Sequence, residues 1–63
     1  MRARPHVMTE RHPRGGWRAW VIDVDGVEVS SNGHTSAFMA RVAVRKVLSQ
    51  RAAFRRRQQG GGQ

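Results

Sequence analysis

No cysteine occurs among the 63 residues. Disulfide staples are therefore excluded, and nothing in the sequence speaks to a redox compartment. A zinc site would have to draw on His6, His12 and His34 with carboxylates. These histidines lack the short spacing of metal ligands, so no metal and no cofactor is expected. Long apolar runs are also missing. Trp20-Val21-Ile22 falls far short of the ~20 residues a membrane span needs. The basic N-terminal stretch has no apolar run behind it, unlike a secretory signal. The expectation is a cytoplasmic protein without a membrane partner.

Acid is scarce. Glu10, Asp23, Asp25 and Glu28 stand against twelve bases, for a formal charge of +8. Such an excess favours a polyanion, and nucleic acid is the commonest one. Lysine is almost absent too: eleven of the bases are arginine and only Lys46 is lysine. GC-rich codon usage produces that bias without any selection for binding. Catalytic signatures are lacking, with no Ser/His/Asp set and no Gly-rich phosphate loop. The chain is not expected to be an enzyme. A domain of this size buries only about 60% of its unfolded surface, so added burial from a partner is expected.

What is present centres on Trp17 to Leu48. Trp17 to Val24 is rich in Trp, Val and Ile and reads as a strand. Asp25-Gly26 between Val24 and Val27 signals a two-residue type I′ turn. That turn sets Val24 against Val27, Ile22 against Val29 and Asp23 against Glu28. One sheet face then carries Trp20, Ile22, Val24, Val27 and Val29. The other carries Trp17, Ala19, Val21, Asp23, Glu28 and Ser30.

Ser36 to about Phe54 lacks Pro and Gly and predicts one helix, capped by Thr35 or Ser36. Ala37, Ala40, Ala43, Val44, Val47, Leu48 and Phe54 share a broad apolar face, expected to lie on the Trp20 side of the hairpin. Arg41 and Arg45 lie one turn apart on a flank, with Arg56 in line if the helix continues. Asp23 beside Glu28 calls for an arginine, and Arg14 or one from another chain is the expected source.

The fold class is α+β: a β-hairpin packed on one C-terminal helix, completed by dimerisation. Residues 1–16 read as a basic flexible arm, in which His6-Val7-Met8-Thr9 has the make-up of a short third edge strand. Residues 17–57 form the ββα domain, and 58–63 a disordered Gly/Gln tail.

The β-hairpin and Ala/Val-rich helix from Trp17 to Leu48 resemble the second half of a double-stranded-RNA-binding domain, and Gly33-His34-Thr35 through Ala43-Val44 to Val47-Leu48 follows that family's helix rhythm. That family's paired lysines at the helix start fall at Ser36 and Ala37, so its RNA-contacting residues are not implied here. In style the chain is also similar to small Arg-rich proteins of bacteriophages.

The expected function is a small nucleic-acid-binding protein acting as a homodimer. Its phosphate contacts would be Arg2, Arg4, Arg41, Arg45, Arg55, Arg56 and Arg57. Its interface would be Trp17 and Val21 on the sheet face the helix leaves open, with Phe38 and Val42 on the helix. The alternative is a phage-encoded module that docks on a host protein through those apolar patches, where aromatic residues dominate binding energy.

Overall fold

The structure, a computed structural model, describes residues 6–61. Arg2 and Arg4 lie outside the described residues. The elements are β1 (Met8–Arg11), β2 (Trp17–Ile22), β3 (Glu28–His34) and α1 (Ala37–Gly61). The strands form an antiparallel sheet in the order β1-β2-β3. Part of the expected arm thus belongs to the sheet: Met8 pairs with Trp20 and Arg11 with Trp17.

Two turns of the same build join the strands. In the first, the Gly15 amide donates to the His12 carbonyl and the His12 amide to the Gly16 carbonyl. In the second, the Gly26 amide donates to the Asp23 carbonyl and the Asp23 amide to the Val27 carbonyl. Both are three-residue loops, a type I turn closed by a glycine of positive φ: 97° at Gly15 and 85° at Gly26. The expected type I′ turn at Asp25-Gly26 needs positive φ at both centres, and among the described residues only glycines have it.

That difference moves the register by one residue, and a one-residue slip exchanges the faces of a strand. Val21 pairs with Val29, Trp20 with Ser30 and Ile22 with Glu28. Val29 therefore joins Ala19 and Val21 on one face, the one under the helix. Asp23 and Glu28 are not opposite each other. The rest of the expected core face is instead the outer one: Ile22 and Val24 are exposed and Trp20 is half-buried, while Val27 follows Val29 to the other side.

The core holds Val7, Ala19, Val21, Val29, Ala40 and Val44, with Trp17 and Leu48 packed against it. It is built from small side chains, so the helix lies close to the sheet. Ala40, Val44 and Leu48 recur every fourth residue and form the buried stripe of α1. Phe54 and Val47, expected in that stripe, are exposed at 62% and 37%. The Ser36 hydroxyl caps the helix by accepting the Met39 amide at 3.2 Å. α1 runs for 25 residues, through Gln58 and into the glycines expected to be disordered. Its length is about 37 Å at 1.5 Å per residue. The seven residues of β3 span about 23 Å. The helix thus overhangs the sheet, and the molecule measures 49 × 22 × 16 Å.

Candidate nucleic-acid interface

The stripe Ala40, Val44, Leu48 continues along the same side of α1 to Arg51 and Arg55, at about −20° and +20° from Val44. Two guanidinium groups therefore point toward the sheet. Asp23, at the end of β2 and only 6% exposed, receives them. Its Oδ2 accepts from Arg51 Nε at 2.9 Å and from Arg55 Nη2 at 2.6 Å. Its Oδ1 accepts the Val24 amide at 2.7 Å. Arg51 also bonds Asp25 through Nη2. This clamp ties the β2–β3 turn to the helix. The hydrogen bond from Arg51, with the Val24 amide and the charge of Arg55, holds the Asp23 carboxyl below its ordinary value against the opposing pull of burial. The same bond raises Arg51. The arginine that Asp23 requires is thus Arg51 with Arg55, not Arg14.

The clamp also sorts the charges. Arg18 lies 3.7 Å from Glu10, and Arg51 and Arg55 are held by Asp23 and Asp25. Among the described residues, Arg11, Arg14, Arg41, Arg45, Lys46, Arg56 and Arg57 have no carboxylate partner, while Glu28 is the acid without a base. Three of the four carboxylates are thus paired, Asp23 in a buried position, and the charges left unpaired among the described residues are almost all basic.

Arg41, Arg45 and Arg56 lie about 60° to 120° round the helix from Val44, on one flank. The helix is unbroken between them. Arg41 and Arg56 are therefore about 22 Å apart along the axis. Arg41 and Arg45 share a groove with His6, Val7, Met8 and Thr9, so this flank overlies the β1 edge. The opposite flank, with Val47, Gln50 and Phe54, meets Asp25 of the β2–β3 turn. Arg11 and Arg14 sit at the other end of the sheet from the clamp, beside the start of α1.

The residues named from the sequence divide accordingly. Arg41, Arg45 and Arg56 come together on the β1 flank. Arg57 is exposed on a different side of the helix. Arg55 is engaged by Asp23 and leaves the set of free cations. Phe38 and Val42 are exposed at 67% and 43%, next to Arg41 and Arg45 on the same side of α1. Val21 is 2% exposed inside the core and Trp17 is half-buried against it, so neither offers a free sheet patch. That patch exists on the other face, as Met8, Trp20 and Ile22. Sequence reasoning missed the clamp, although its signal was present: an apolar helical stripe ending in two arginines requires carboxylates opposite.

No family model matches the chain, and neither the curated proteins nor the solved structures contain a similar one. No helix among the described residues is long and apolar enough to cross a membrane.

Proposed function

We propose that the chain binds nucleic acid through phosphate contacts, with the β1-side flank of α1 as the contact surface and a homodimer as the binding species. The observation that carries this reading is the line Arg41, Arg45, Arg56 on one continuous helix flank, free of carboxylates. Phosphate contact needs cations that are not already neutralised, and internal pairing leaves these three available. The flank presents no set of side chains matched to base edges, so binding is read as largely independent of sequence. The likeness to the second half of double-stranded-RNA-binding domains makes duplex RNA the first ligand to try, with duplex DNA beside it.

The test is fluorescence anisotropy on 20-base-pair duplexes from 50 to 300 mM salt. Three arginine contacts per protomer give a log–log salt slope of about −2.7 for each protomer on the duplex and about −5.4 for a dimer that engages both flanks, at about −0.9 per contact on DNA. Arg41→Ala and Arg45→Ala each flatten the slope by about 0.9 per bound protomer. Arg55→Ala weakens the fold and leaves the slope of the folded protein unchanged. Absence of binding to either duplex at 50 mM salt overturns the function. Binding whose slope ignores Arg41, Arg45 and Arg56 overturns the site.

The exposed Phe38 and Val42 favour a second reading, a module that docks on another protein. Recovery of one stoichiometric protein after nuclease treatment, lost in Phe38→Ala, is the result that prefers it.

A further inference from the structure

The sheet has a second face. Across it lie Met8 and Glu10 on β1, Arg18, Trp20 and Ile22 on β2, and Glu28 and Ser30 on β3. Val24 extends it into the turn. Met8, Ile22 and Val24 are exposed at 42%, 51% and 71%, and Trp20 lies half-buried between Met8 and Ser30. An antiparallel sheet covered on one side ordinarily turns polar residues outward. Here the central strand turns out Trp20 and Ile22 instead.

The charges on this face are incomplete in a complementary way. Arg18 Nε is buried without an acceptor, and the nearest carboxylate, Glu10, is at 3.7 Å from Nη1. Glu28 has no base within the fold among the described residues. Arg18 and Glu28 sit toward opposite ends of the face, with Trp20 between them in the register. Within one chain they do not meet.

We propose that the occupant of this face is a second copy of the chain, packed sheet on sheet about a two-fold axis that runs across the strands. Such an axis lays β2 over β2 with the ends exchanged. Trp20 falls on the axis, against its counterpart. Ile22 of each copy lies over the stem of Arg18 in the other. Arg18 then faces Glu28 of the other copy, one strand away, which gives Glu28 the base it lacks and Arg18 a second carboxylate beside its own Glu10. A two-fold along the strands instead sets Arg18 over Arg18 and is excluded by that repulsion.

The face sets the strength. Strands of four, six and seven residues, about 4.8 Å apart, give a flat area of about 280 Å² per copy. That is below the roughly 800 Å² of a standard interface, so the dimer is weak and depends on concentration. The helices remain outside, and the axis brings both arginine flanks to one edge. Layer spacings of about 10 Å put them about 30 Å apart, near the ~34 Å of one duplex turn. Only this last consequence rests on the nucleic-acid reading, and association is tested without nucleic acid so that the two fail separately.

Sedimentation equilibrium from 10 µM to 1 mM at 50 mM salt should show monomer passing to dimer. Emission of Trp20, isolated in Trp17→Phe, should shift to the blue over the same range. Ile22→Lys replaces an exposed side chain and should leave a folded monomer. Arg18→Glu should weaken association at least tenfold, and Arg18→Glu with Glu28→Arg should restore it. A monomer throughout the range overturns the proposal. So does a dimer lost in Val42→Lys but retained in Ile22→Lys, or a charge exchange without rescue.

Discussion

Replacing Asp23 by Asn keeps the shape of the side chain and the acceptor for the Val24 amide, but removes the charge. The two guanidinium donors of Arg51 and Arg55 then meet a neutral amide. A hydrogen bond to a charged group contributes about 1.5–3 kcal/mol when well shielded. Both arginine side chains are about a third exposed, at 31% and 36%, so solvent screening reduces each bond. A combined loss of about 2 kcal/mol is expected, a large part of the roughly 3–9 kcal/mol that holds a chain of this size. For a small domain it lowers Tm by about 8–16 °C. Circular dichroism melts at pH 7 measure this directly. The pH dependence gives the sharper check. The Asp23 carboxyl is held below its ordinary value in the folded protein. Its contribution is full above the unfolded value of about 3.9 and is lost as pH falls through the lower folded value. Wild type and Asp23→Asn should therefore differ at pH 7 and converge toward pH 2. Equal Tm values at pH 7, or a gap that persists undiminished at pH 2, would refute the clamp.

Other consequences follow from the core and the turns. Val44→Ala empties a fully buried position and should cost about 1–3 kcal/mol by urea titration, whereas Phe54→Ala, at 62% exposure, should cost under about 0.5 kcal/mol. Gly26→Ala meets no atom within 4 Å but must hold φ at 85°, so it should destabilise by about 1–2 kcal/mol through backbone strain alone. An effect below 0.3 kcal/mol there would indicate that the loop shifts to another turn type.

The elements were legible in the sequence because each had a local signal. Ser36 capped the helix, the run from Trp17 had strand composition, and Met8-Thr9 could form an edge. The register was not legible, because Asp25-Gly26 serves a two-residue turn and a three-residue loop equally well. The choice turns on φ at Asp25, a single torsion with no signature in the dipeptide. Yet it decided whether Val29 or Glu28 met the helix. Only long-range chemistry distinguishes the two, since Arg51 and Arg55 at the end of the helical stripe require Asp23 beneath them. The arginine flank was legible for a simpler reason: helical periodicity alone groups Arg41, Arg45 and Arg56, once the helix is long enough. Which arginines remain free was hidden, because pairing is a tertiary property.

The overhang of α1 gives the molecule a boundary in cooperativity. Among the described residues, Arg55 is the last side chain tied to the sheet. Beyond it, residues 56–58 keep helical shape through local propensity alone, with cations and glutamine in sequence toward glycine. Amides before the clamp should exchange with solvent only on global unfolding, and those after it by fraying. The clamp is thus a phase boundary within one helix. On its far side, Arg56 and Arg57 sit on a segment that a bound polyanion would help to complete, so that the order of the last turns reports occupancy.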